Sequence, residues 1–137
     1  MSRRTAFSMF IALFVMTVAA LVGSPSMASA QQNPNCCTYT VRVNGIRPEC
    51  FPFRIYYRWL CLPNVTVVFY PANGTYVAPT PTPPPCPPAC ILRAISLDGV
   101  NFFGPNQTWT YVVGNCCYVV NFGFDANGCI VINVNPC

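Results

Sequence analysis

The sequence contains no histidine and no lysine. That removes the usual general base, the Ser–His and Cys–His nucleophile pairs and the Schiff-base amine together. Acids are almost as scarce, and Glu49, Asp98 and Asp125 are all there are. A two-carboxylate glycosidase would have to be assembled from those three. Asp98 and Asp125 stand close to glycines in turn-like stretches, where a short carboxylate ordinarily bonds its own backbone. No Cys-x-x-Cys pair is present to suggest redox exchange. The sequence therefore reads as non-enzymatic and without a cofactor.

Helical periodicity is also missing. No segment repeats apolar residues every three to four positions, so the helical crossovers that parallel α/β folds need are not available. Charge is thin throughout. After residue 30 the bases are Arg42, Arg47, Arg54, Arg58 and Arg93, which against three acids leaves +2 (5 − 3). That is too little to suggest nucleic acid or an anionic membrane surface as a partner. It also leaves little repulsion to oppose contact between copies.

What is present begins with an export pattern. Arg3 and Arg4 precede an almost wholly apolar stretch over 6–22, and Ala28-Ser29-Ala30 forms a small-x-small cleavage site. Residues 1–30 thus read as a secretory signal peptide cleaved after Ala30, with the mature domain spanning 31–137. No later run is long enough to cross a bilayer as a helix. The expected location is outside the cytoplasm: secreted, at the cell surface, or in a periplasm.

All ten cysteines follow the leader: Cys36, Cys37, Cys50, Cys61, Cys86, Cys90, Cys116, Cys117, Cys129 and Cys137. An even number in a short exported chain reads as a disulfide framework whose connectivity the sequence leaves open. Cys86-x3-Cys90 has a ligand-like spacing, but export and the absence of histidine favour disulfides over zinc. Neighbours on a strand point to opposite faces, so Cys36 and Cys37 are not expected to bond each other, nor Cys116 and Cys117. Cys37 shares a face with Tyr39, Val41 and Val43, and Cys116 with Tyr118, Val120, Phe122 and Phe124. Cys37 and Cys116 are therefore expected to point inward, and Cys36 and Cys117 outward. A polyproline rise of about 3.1 Å per residue holds Cys86 and Cys90 too far apart to bond each other.

Short strand-like runs fill the rest. The clearest alternates Phe51, Phe53, Ile55, Tyr57 and Trp59 against Pro52, Arg54, Tyr56, Arg58 and Leu60. Residues 65–70 and 75–78 flank a Pro-Ala-Asn-Gly turn and read as a hairpin. Residues 91–97 and 100–103 flank Asp98-Gly99 and read as a second one. Further strands are expected over 37–43, 108–113, 115–124 and 129–134. A proline-rich connection over 79–88 divides the domain, and its plainest role is a stiff crossover between sheets. Together these predict a single disulfide-rich β-sandwich, Ig-like or jelly-roll-like, of about eight or nine short antiparallel strands.

Function is read from surfaces. Arg54, Tyr56 and Arg58 share the polar face of one strand and form a candidate binding surface. The leading expectation is a structural or adhesive domain that contacts a protein partner or copies of itself. The alternatives are a carbohydrate-binding module stacking sugars on Tyr56, Tyr111 or Trp109, and an inhibitor or toxin-like domain presenting a braced loop over 79–90. Three sequons, beginning at Asn64, Asn73 and Asn106, would accept glycans in a host that glycosylates by that route.

Overall fold

The structure, a computed structural model, describes residues 31–33, 35–81 and 90–137. The expected leader and most of the proline-rich connection lie outside the described residues. Eight strands occupy the rest: β1 Thr38–Val43, β2 Phe53–Trp59, β3 Thr66–Tyr70, β4 Gly74–Pro79, β5 Leu92–Ser96, β6 Gln107–Val113, β7 Cys116–Phe124 and β8 Ile130–Pro136. A 3-10 turn, Pro48–Cys50, precedes β2. The strands form a five-stranded sheet, ordered β4-β1-β8-β7-β6, and a three-stranded sheet, ordered β3-β2-β5. No helix among the described residues is long and apolar enough to cross a membrane.

Alternation decides which side chains make the core. In β2, Phe53, Ile55, Tyr57 and Trp59 are buried while Arg54 and Arg58 are exposed. In β1 the buried set is Tyr39, Val41 and Val43. These two strands lie in different sheets, yet the ring of Tyr39 stands 5.4 Å from that of Tyr57 and 5.5 Å from that of Trp59. Phe53 meets Tyr118 at 5.2 Å in the same way. Aromatic pairs at these separations gain energy beyond the area they bury. They make the interior of a β-sandwich.

Three details depart from the sequence-based expectation. The first and last strands pair in parallel, Tyr39 opposite Ile130 through Val43 opposite Val134, while the other five pairings are antiparallel. The expected hairpin over 65–78 does not form. β3 pairs with β2 in one sheet and β4 with β1 in the other. Asn73 explains the switch, because its side chain acts as a short strand of its own. It accepts from the Ile46 N–H at 3.0 Å and donates to the Ile46 carbonyl at 2.8 Å. That fastens the connection to the turn after β1 and aims β4 along β1. The second expected hairpin also fails to extend. After Asp98-Gly99 only Phe103 bridges back to Ile95, because the Asp98 carboxylate captures the N–H groups of Val100 and Asn101 at 2.8 Å each.

Four disulfides are described. Cys36–Cys129, Cys50–Cys116, Cys61–Cys90 and Cys117–Cys137 have Cα separations of 4.7–5.7 Å, within the range such a bond requires. Cys37 is disulfide-bonded as well. Neither adjacent pair bonds internally, as strand geometry predicts. Cys116 packs on the core and joins buried Cys50, while Cys117 reaches out to exposed Cys137. Cys36, Cys37, Cys116 and Cys117 are all half-buried, and of the four only Cys116 packs against the core cluster. Gly128 lies beside the Cys36–Cys129 bridge at φ +78°, where a Cβ would stand 2.8 Å from Asn33 Cβ. Only glycine fits both that backbone and that contact.

Candidate functional site

The expected surface on β2 is present, and the structure adds neighbours to it. Arg54, Tyr56 and Arg58 all face away from the core. Register places Phe69 directly opposite Arg54, and Val67 opposite Tyr56. Phe69 is 59% exposed, the Arg54 guanidinium carbon lies 5.8 Å from its ring centre, and the Tyr56 ring is 5.6 Å away. On the other side, Arg58 stacks over Phe102 with its guanidinium carbon 4.3 Å from the ring centre. Such contacts contribute about 0.5–1 kcal/mol each at exposed sites.

Tyr56 itself is half-buried, because the turn after β5 folds over it. A Cβ on Gly99 would come within 3.0 Å of the Tyr56 ring. Asp98 fixes that turn. Burial opposes its ionisation, but hydrogen bonds from the Asn101 backbone and side chain, the Val100 N–H and the Ser96 hydroxyl outweigh burial. They hold its carboxyl well below the usual range.

Two open grooves flank this turn. One, of about 530 Å³, is lined by Arg58, Arg93, Phe102, Leu62, Asn64 and Val65 among others. The second, of about 470 Å³, includes Arg54, Tyr56, Phe69, Asp98 and Val113. Arg93, Phe102 and Phe69 were not among the residues singled out from sequence. Phe69 was within reach of it: the run Val65-Thr66-Val67-Val68-Phe69 is apolar on both faces, which marks a strand with an apolar outer side. Arg93 and Phe102 left no local signal. Their approach to Arg58 depends on the irregular register of β2 with β5 at Arg58/Trp59 and on the course of the 97–103 turn.

The remaining acids hold local structure. Asp125 accepts from the N–H groups of Asn127 and Cys129 at 2.8 and 3.0 Å. Glu49 lies 3.4 Å from Arg47, the one salt bridge among the described residues. No group of three or more metal-ligating side chains is assembled among the described residues. Of the aromatics offered for sugar stacking, Tyr111 is buried, Tyr56 lies beneath Gly99, and Trp109 is 44% exposed with its ring stacked on Phe103.

A third feature is the outer edge of the five-stranded sheet. β6 pairs with β7 along one side and is the last strand in that sheet's order. Of its seven residues only Tyr111 is buried, and none is charged. No family model matches the chain, and neither a curated protein nor a solved structure matches it.

Proposed function

We propose that this chain is an exported, non-enzymatic structural or adhesive domain whose copies associate edge to edge. The observation that carries this reading is the self-complementarity of β6. Natural edge strands are usually guarded by lysine, proline, a bulge or a covering segment. Gln107-Thr108-Trp109-Thr110-Tyr111-Val112-Val113 has no charge and no proline. Antiparallel pairing of two copies about a two-fold axis at Thr110 sets Thr110 against its own copy. It sets Trp109 against Tyr111, Thr108 against Val112 and Gln107 against Val113. Every pair then lies on one face, an aromatic pair forms inside, and no like charges meet. Trp109, half exposed beside a buried Tyr111, would gain the cover that an edge position denies it.

Two alternatives fare differently. Sugar stacking has lost two of its three aromatics to burial and to the Gly99 turn. The projecting loop that an inhibitor-like reading needs falls largely on residues outside the described set.

Sedimentation velocity across a concentration series tests the proposal. The native domain is expected to shift from monomer to dimer, and Thr110→Lys to remain monomeric while unfolding at the same denaturant midpoint. A native domain that stays monomeric at the highest concentration, or a Thr110→Lys domain that associates unchanged, overturns it.

A further inference from the structure

We propose that the groove holding Arg58 and Arg93 is a binding site for carboxylates on a partner protein, and that it takes an extended acidic segment interspersed with apolar residues. This goes beyond edge-to-edge association and rests on different atoms.

Charge is the first argument. Arg58 and Arg93 line the same groove, and neither forms an ion pair among the described residues, where Arg47–Glu49 is the only one. The chain's own acids are committed elsewhere: Asp98 and Asp125 to their turns, Glu49 to Arg47. Any side-chain carboxylate that engages these two arginines therefore comes from another molecule. Guanidinium groups present paired N–H donors that match a carboxylate fork.

Pre-organisation is the second. Arg58 is held over Phe102, so less side-chain freedom is lost when a ligand engages it. Phe102 is fixed in turn by the segment that Asp98 braces through Val100, Asn101 and the Asn101 side chain.

The remaining lining selects the ligand class. The face of Phe102 is already covered by a guanidinium, which removes it as a platform for a sugar ring. Two arginines are too few to hold a polyanion by charge alone. Leu62 and Val65 stand beside them and offer apolar contact that an isolated phosphate or sulfate cannot use. A peptide alternating acidic and aliphatic side chains uses both kinds of wall.

The test is fluorescence anisotropy with a fluorescein-labelled Gly-Ser peptide carrying a Leu-Glu-Leu-Glu segment, against its Leu-Gln-Leu-Gln counterpart. The glutamate peptide is expected to bind, with affinity falling as salt is raised, and the glutamine peptide to bind at least about tenfold more weakly. Arg58→Gln and Arg93→Gln are expected to weaken binding about fivefold or more each. Arg42→Gln, on the outer face of the other sheet, is expected to leave it unchanged. All three side chains are exposed, so folding is preserved, and matching circular dichroism spectra verify it. Equal binding of the two peptides overturns the proposal, as does equal loss in all three variants. Tighter binding of a heparin fragment than of the peptide, lost in the same Arg58 and Arg93 variants, also overturns it. Repeating the titration on Thr110→Lys separates the two proposals, since a monomeric variant that binds the peptide normally retains this site whatever becomes of self-association.

Discussion

Across the outer face of the five-stranded sheet, register lines up Thr75, Arg42, Asn133, Asn121 and Thr108 in one row. Four are uncharged polar residues, and Asn121 already donates to Thr108 at 3.0 Å. The outer face of the three-stranded sheet carries Arg54 opposite Phe69, Tyr56 opposite Val67, and Arg58 over Phe102. Both sheets turn an almost wholly apolar face inward, and both obey the same alternation. The difference lies in what the outward cations meet: Arg54 and Arg58 rest on aromatic rings, whereas Arg42 stands among amides and hydroxyls. On the larger sheet the Asn121 amide is satisfied by the Thr108 hydroxyl within the sheet. On the smaller one guanidiniums rest on aromatic rings with no carboxylate opposite. In the two proposals the larger sheet offers its edge and the smaller one its face.

One disulfide ties the two sheets together. Cys50 lies in the 3-10 turn that leads into β2, and Cys116 begins β7. Their bridge closes a 66-residue separation, and Tyr118 donates to the Cys50 carbonyl at 2.8 Å beside it. Replacing both cysteines with alanine is expected to cost about 4 kcal/mol, the chain-entropy value for a loop of that size. Denaturant melts should show one cooperative transition at a lower midpoint. Two separated transitions would mean that the sheets are independent units.

A pair of phenylalanines, one per sheet, separates the core from the outer surface. Phe122 on β7 is fully buried, and Phe69 on β3 points outward. Phe122→Ala is expected to destabilise by about 3–5 kcal/mol. Phe69→Ala should stay within about 0.5 kcal/mol, as surface changes usually do. A large loss at Phe69 would mean that the outer face of β3 is part of the fold rather than a surface offered to partners.

The buried hydroxyl pair Tyr57–Tyr70 makes the interior sensitive to alkali. Burial pushes both hydroxyls up, Tyr57 well above its ordinary value of 10.0. A raised folded-state value means that the stability these groups contribute is complete below about pH 10 and is lost as pH rises through the folded value. Unfolding followed by circular dichroism should therefore coincide with the appearance of phenolate absorbance. The Tyr57→Phe/Tyr70→Phe double variant should unfold at higher pH. No change in its alkaline midpoint would place the sensitivity elsewhere.

How much of this was legible beforehand follows from the range of each interaction. The inner face of β2 and the outward Arg54, Tyr56 and Arg58 are set by period two within one strand, so a linear reading finds them. The two false hairpins share a cause. A turn-like stretch shows that the chain bends but not which strand it meets next, and in both cases one side chain, Asn73 or Asp98, redirected the backbone. The β1–β8 pairing joins residues near opposite ends of the domain and depends on the complete core. The groove is of the same kind. Arg58 was visible as an outward charge, but Arg93 and Phe102 reach it only once a register irregularity and a braced turn exist. The two adjacent cysteine pairs were read correctly as not bonding internally. The strand argument applies to Cys116 and Cys117 on β7, whereas Cys36 and Cys37 lie before β1 begins.

A small effect is expected at Asp98, where substitution tests whether the braced turn serves the face beneath it. Its depressed carboxyl contributes stability that is fully present above the unfolded value of about 3.9 and is lost only as pH falls through a folded value below the ordinary carboxylate range. Between neutrality and about pH 4 the turn should therefore not change. Asp98→Ala removes the acceptor of the Val100 and Asn101 N–H groups. Because the carboxylate is exposed, the cost is expected to stay near about 0.5–1 kcal/mol. The informative readout is local. Hydrogen exchange at Gly99 to Phe102 should quicken while that at Val120 and Ile132 in the opposite sheet stays slow. Affinity for the acidic peptide should fall by a smaller factor than in Arg58→Gln, since Phe102 is loosened rather than its arginine lost. Faster exchange with unchanged affinity would show that Arg58 needs no platform, and would reduce the groove to its two charges.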